Sequence, residues 1–243
     1  MAADRLGTIL ELIAKREGTE PHAATLCAVA AAITESDGAA IVLVSPGPQY
    51  TGLSATDAVA QRLLELELTL GEGPCIDACS SETVVGDDSL HSPEPSRWLA
   101  YSSLVRESGA HAVFAFPLRT GTYRIGALCL YRDAPGELTS AQSADGYLVA
   151  SVVSRAVLSM QAGAPDGTLA TTLEDESTFA FVVHQAAGMV AVQGAMSVGD
   201  ALVALRSHAF SSETRLLDLA QRVVAGTAYF DPTSYQWINR NLS

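Results

Sequence analysis

The sequence predicts an α+β fold: an antiparallel sheet with flanking helices, followed by a unit of three short helices. Three observations carry that reading. Paired β-branched and apolar runs flank turn residues at 38–55 and again at 111–133. Segments of helical periodicity surround both pairs, and beyond residue 178 no strand pairing is evident. An order of helix, hairpin, helix, strand, helix, hairpin and long helix suits an antiparallel sheet covered by helices.

Asp4 to Arg16 reads as an amphipathic helix with Leu6, Ile9, Leu10 and Ile13 on one face. Pro21 suits the first turn of a second helix that runs to about Thr34. GAAIVLVS and QYTGLSA, joined by Ser45-Pro46-Gly47-Pro48, form a hairpin, and Ala55 to Leu66 is helical. Leu70-Gly71-Glu72-Gly73-Pro74 is a sharp bend that leads into a short helix from Cys75 to Ser80. TVVGDD is a short strand, HSPEPS a loop, and Ser96 is placed to cap the helix that follows. The clearest hairpin joins HAVFAFPLRT to YRIGALCLYRD through Thr120-Gly121-Thr122. Leu138 to Met160 is a long helix with Leu148, Val152, Ala156 and Ser159 along one stripe.

Gly163 to Ser177 carries turn residues, threonines and acids without an apolar face, and reads as a linker. Phe179–Gln193 is the first of the three later helices. Ser197 and Asp200 have capping-box spacing at the start of the second, Ser211 or Ser212 opens the third, and Gly226 closes it. Tyr229, Phe230, Tyr235 and Trp237 suggest packing onto something, a partner subunit included.

Composition narrows the function classes. At 48% hydrophobic and 17% charged, 243 residues hold enough apolar surface for one large domain or two small ones, and the chain is not of a disordered type. No apolar run reaches about 18 residues and no cleavable leader is evident, so no membrane association is expected. Four cysteines do not make a disulfide scaffold, and a cytoplasmic location is expected. The net charge of −13 repels phosphate backbones taken as a whole, but it is unevenly spread. From Phe179 to Ser243 four arginines balance four acids, so the entire excess lies in the first 178 residues.

LTLGEGPCIDA (Leu68–Ala78), the FPLRTGTYRIGALCLY hairpin and the long helix after it resemble a GAF domain. HQAAGMVAVQGAMSVGDALVALRSHAFSSETRLLDLAQRVVAG (His184–Gly226) resembles an ANTAR domain. The combination is similar to GAF-and-ANTAR regulators common in actinobacteria, and arginine outnumbering lysine 13 to 1 agrees with a GC-rich coding sequence. The resemblance implies an N-terminal helix over 1–19, a GAF-like sensor over 20–162, a linker over 163–177, an ANTAR-like module over 178–230 and a tail over 231–243. It implies a transcription antiterminator that binds paired hairpins in leader RNA, is gated by a sensory domain, works as a homodimer and performs no covalent chemistry. A small-molecule ligand is possible in the sensor; no cofactor is identified.

On this reading Arg206, His208, Arg215 and Arg222 are the RNA candidates, because guanidinium groups pair with phosphate or stack on bases. Ser211 and Ser212 join them if they start a helix whose free N–H groups hold a phosphate, and Gln185 if it reaches a base edge. A solvated helix face competes for the arginines and the glutamine, and plain N-capping for the serines. Ala186, Gly188, Ala201 and Ala220 match small positions of the pattern and are explained by close helix packing. Ala187 stands where many ANTAR domains carry a lysine, which lowers the expected RNA affinity.

In the sensor, Gly73, Cys75, Cys79, Asp87 and His91 are the candidate pocket residues. Cys75 and Cys79 share one side of a helix N-terminus, where a lowered thiol pKa would permit redox or metal chemistry. No second ligand cluster is evident, no metal site is assigned, and Cys27 and Cys129 read as core. Asp87, Asp88 and His91 read as a solvated acidic loop or a divalent-ion site, and His111 caps or pairs at a strand start. Phosphate-loop, G-x-S-x-G and H-E-x-x-H patterns do not occur. The rivals are a GAF-fold thiol enzyme of the free methionine sulfoxide reductase type, and a ligand-binding or dimerisation scaffold with weakened RNA affinity.

Overall fold

The computed structural model describes residues 2–17, 22–45, 49–92, 96–162, 178–232, 234 and 236–239. Two compact units divide the chain, Met1–Glu176 and Ser177–Ser243. The expected linker over 163–177, the Pro46–Pro48 turn, Pro21 and Tyr235 lie outside the described residues.

The first unit is built on a five-stranded, wholly antiparallel sheet in the order β2-β1-β5-β4-β3. Its strands are β1 (Gly38–Ser45), β2 (Gln49–Ala55), β3 (Val85–Asp87), β4 (Ala112–Thr120) and β5 (Tyr123–Arg132). Gly121, at φ 59°, takes the first position of the two-residue β4–β5 turn, where a positive φ matches the strand twist. Strand alternation splits the sheet into two faces. Ile41, Leu43, Phe114, Phe116, Leu128 and Leu130 lie in one apolar core with α1 (Ala2–Glu17), α2 (Ala23–Thr34) and α6 (Ser140–Gln161). The opposite parity carries small residues, Ala40, Val42, Ala115, Ala127 and Cys129. On the β4–β5 pair this parity receives α4 (Pro74–Ser81), with α3 (Ala58–Leu70) on β1–β2 and α5 (Leu99–Val105) on α3.

Helix faces follow the sequence with local shifts. Ile9 is fully buried as expected, whereas Leu10 is half exposed. On α6 the fully buried stripe is Val149, Val153 and Val157; Leu148, Val152 and Ala156 flank it partly buried, and Ser159 is exposed. The helix axis is therefore rotated by about one residue from the expected stripe. Thr139 and Gln142 close a full capping box at its start. At α5 the expected cap is corrected. Ser96 only accepts from the Trp98 amide and the Ser102 hydroxyl, while the Glu72 carboxylate receives the Ala100 and Tyr101 amides at 2.8 and 2.9 Å.

The second unit packs α7 (Thr178–Gly194), α8 (Val198–Ser211) and α9 (Leu216–Val224) around Ala186, Ala187, Val190, Leu205, Leu219 and Val223. Ser197 caps α8 by accepting the Asp200 amide, as its spacing predicts, but the Asp200 carboxylate accepts the Ser197 hydroxyl rather than its amide, so the expected capping box is only half formed. Gly226, at φ 73°, ends α9 with the Thr227 amide on the Arg222 carbonyl. Strand pairing does occur beyond residue 178: β6 (Ala228–Asp231) and β7 (Gln236–Asn239) form an antiparallel hairpin across the expected module–tail boundary. Phe230 is buried in it, edge-on to Trp237, and the Phe230 amide donates to Gln193 on α7. The aromatic tail is thus partly consumed by its own unit. No single helix among the described residues is long and apolar enough to cross a membrane.

Candidate functional site

The Gly71-Glu72-Gly73-Pro74 bend positions the sensor site. Gly71 ends α3 at φ 70°, and Gly73 lies at φ 143°, where a Cβ would sit 2.4 Å from the Glu67 side chain. Only glycine satisfies both the backbone and the space there. The bend folds α4 back onto α3, so that Glu67 Oε2 accepts the Cys75 and Ile76 amides at 2.7 and 3.3 Å. Glu67 therefore caps α4 from the interior, as Glu72 caps α5.

Around Glu67 the chain gathers polar groups that it does not satisfy. Glu67 is 1% exposed and Tyr101 is fully buried, yet Glu67 Oε1 and the Tyr101 hydroxyl have no hydrogen-bond partner. Carboxylate and thiol ligand atoms of Glu67, Cys75 and Cys129 lie within 4.8 Å of one another. Burial lifts the Glu67 carboxyl from its ordinary range to about 8, against the opposing pull of the two amides and of the Cys75 thiol. Cys75 is raised well above a free thiol, first by its contact with Cys129 and then by burial, and burial pushes Cys79 up to about 12. The expected lowering at a helix N-terminus is overturned, because the N-terminus of α4 is already taken by a carboxylate and the thiols are dry. Tyr101 is also raised, by burial and by the neighbouring acid and thiols.

Gly73 and Cys75 belong to this interior cluster, and Cys79 lies one turn further along α4. Asp87 does not. It borders an open cleft of about 400 Å³ beside α5, with Asp88, Ser92, Ser96, Ser102 and Arg106 among the lining. Asp87 Oδ1 accepts the Ser89 amide, a turn role, and Arg106 donates to the Ser92 carbonyl. His91 instead lies against His111, ring centroids 4.1 Å apart, with its Nε2 buried and unpartnered. Sequence reasoning missed Glu67, Tyr101 and Cys129. The signal for Cys129 was available: in Gly126-Ala127-Leu128-Cys129-Leu130-Tyr131 its parity opposes the core leucines.

The C-terminal unit disposes its candidates differently. Arg206 on α8 is partly buried, and its Nε is a buried donor without an acceptor. Burial lowers its pKa, and among the described residues no carboxylate offsets that; burial and Arg206 together lower His184. His208 stacks on Trp237 at 4.9 Å and 8°, and Arg222 hydrogen-bonds Asn239 beside that stack. Burial, then Arg222, lowers the His208 pKa. Gln185 and Arg215 are exposed.

Ser211 and Ser212 do not open α9. Both hydroxyls donate back to the His208 carbonyl, Glu213 turns the chain at φ 51°, and α9 begins at Leu216 with Arg215 as its cap position. Their competition for helix carbonyls ends α8 instead. Ala186, Ala201 and Ala220 are fully buried as close packing requires; a Cβ on Gly188 would meet nothing within 4 Å. Ala187 is fully buried too, so this position is interior in the unit.

A family model for the GAF domain matches residues 20–160. Among solved structures, the chain is similar to the GAF domain of a phosphoenolpyruvate-protein phosphotransferase from Acinetobacter, at 15% identity and TM-score 0.49, covering 67% of this chain and 96% of that one. The corresponding domain from Coxiella burnetii gives 13% identity and TM-score 0.48, with 66% and 96% covered. A type II free methionine-R-sulfoxide reductase from Thermoplasma acidophilum gives 13% identity and TM-score 0.39, with 65% and 94% covered. No curated protein sequence matches the chain.

Proposed function

The chain belongs to the GAF domain family through residues 20–160, and from that premise we propose that it is a sensor-gated transcription regulator whose C-terminal unit binds hairpins in leader RNA. It acts as an antiterminator in the cytoplasm, as a homodimer, without covalent chemistry. The observation that carries this reading is Arg206. A guanidinium withdrawn from water, with no carboxylate against it among the described residues, is costly, and a phosphate relieves that cost by charge-assisted hydrogen bonds. The flat His208–Trp237 stack beside Arg222 adds a surface of the kind on which unpaired bases stack. Arg215 and Gln185, both exposed, are secondary contacts in this reading, and Ser211 and Ser212 are no longer part of it.

Crosslinking to cellular RNA followed by sequencing tests the proposal. Enrichment of leader regions with twin hairpins is expected, and an even spread over transcripts contradicts it. Light scattering behind size exclusion tests the dimer, which a strictly monomeric chain with and without RNA would overturn.

One observation favours a second reading, the thiol enzyme: Cys129 joins Cys75 in space. Against it, both thiols are buried, and Cys75 is held far from the thiolate that attacks a sulfoxide. Turnover of free methionine sulfoxide with a thiol reductant, lost in Cys75→Ser, would establish that reading, and no turnover removes it.

A further inference from the structure

We propose that Glu67, Cys75 and Cys129 form a binding site for a divalent metal ion of zinc-like softness, joining α3, α4 and β5 at the heart of the sensor. The proposal is independent of RNA binding. Four observations support it. First, the three ligand atoms lie within 4.8 Å of one another, whereas a tetrahedral zinc with bonds of about 2.0–2.3 Å sets its ligands about 3.5–3.8 Å apart. Contraction by about an ångström closes the set. Second, the carboxylate is already oriented: two amides hold Oε2 and leave Oε1 unpartnered. A ligand fixed by hydrogen bonds to its other atom is the usual arrangement at a metal. Third, the Tyr101 hydroxyl is fully buried and unpartnered, a second orphaned oxygen in the interior of the sensor. Fourth, two sulfur ligands and one oxygen suit zinc and exclude magnesium or calcium preference, which runs to all-oxygen sets.

Helix capping alone accounts for Oε2 but not for Oε1, nor for two thiols from separate elements meeting at it. Cys27 shows the contrast: it is buried in the core on the other side of the sheet, among aliphatic side chains. Binding releases to solvent the thiol protons of Cys75 and Cys129 and any proton on Glu67. Three ligand charges then face two on the ion. Cys79, one turn along α4, lies outside this set, which leaves the fourth position to water.

The test uses the full chain, expressed with zinc and purified without chelator, and then reloaded with Co2+ after chelation. The expected results are one zinc per chain by mass spectrometry and a sulfur-to-cobalt charge-transfer band with cobalt. Cys75→Ser and Cys129→Ser should lose that band, and Cys27→Ser should keep it. Should the serine variants fail to fold, Glu67→Gln retains an acceptor for the two amides and should weaken zinc binding at least tenfold in a chelator competition. The proposal is overturned if the folded wild-type chain, with four reduced thiols by titration, takes up neither ion. It is equally overturned if Cys27→Ser loses the band, or if Cys75 and Cys129 form a disulfide in the presence of saturating zinc.

Discussion

The two units leave different polar groups without partners. In the first, four arginines meet carboxylates: Arg5 pairs with Asp145, Arg97 with Asp77, and Arg119 and Arg124 share Glu82. Its polar surplus lies inside, where Glu67 and Tyr101 keep unpartnered oxygens around two thiols. In the second, Arg206 has an orphaned donor and Arg222 turns to an amide beside an aromatic stack. An acidic chain can thus hold a locally unneutralised basic site, because pairing is decided by neighbours and not by net charge.

Perturbing each unit separately sharpens that contrast. The largest effect is expected from Phe116→Ala in the first unit. Phe116 is fully buried between the sheet and Gly146 of α6, so its loss should cost about 3–5 kcal/mol in urea unfolding. RNA affinity per folded molecule should be unchanged; a fall in affinity without a fall in stability would blur the division. Next is Gly73→Ala, which places a Cβ against Glu67 at a φ that L residues rarely adopt. A loss of about 1–3 kcal/mol is expected, and a neutral result would mean that the bend does not hold Glu67 in place.

In the second unit the test is pH. His208 titrates below its ordinary 6.5 in the fold, because burial and Arg222 disfavour the imidazolium. The unfolded chain therefore binds the proton first as pH falls, so this contribution is intact above 6.5 and is lost as pH drops toward the folded pKa. Thermal melts between about pH 7.5 and 5.5 should show that loss, and His208→Gln should reduce it to the share of His184, which burial and Arg206 lower in the same sense. The smallest effect belongs to Arg119→Ala. Its pair with Glu82 is solvent-accessible, so stability should change by less than about 1 kcal/mol, and RNA binding should not change.

What the sequence disclosed depends on how local the cause is. Hairpins announced by β-branched runs, the Ser197–Asp200 cap and the Gly226 terminator were legible because each is written within a few residues. The β6–β7 hairpin was not, since four-residue strands are too short to display a period and look like an aromatic tail. Ser211 and Ser212 were misplaced because a serine pair between two helices can end one as readily as start the next; the His208 carbonyl decides it. Glu67, Tyr101 and Cys129 were invisible as a group because they come from α3, α5 and β5, and only the double-glycine bend brings α4 to them. Arg206 was legible as a candidate, but its want of an acceptor was not, because that depends on which acids fail to reach it.

The most direct measurement is binding of the full chain to a twin-hairpin leader RNA over a series of salt concentrations, alongside Arg206→Ala. The predicted result is retention at low salt, with the variant weaker by about 1–3 kcal/mol and its salt slope shallower by about one charge. No retention of any structured RNA at low salt, or an Arg206→Ala chain that binds as wild type does, would contradict the assignment of RNA binding to this arginine.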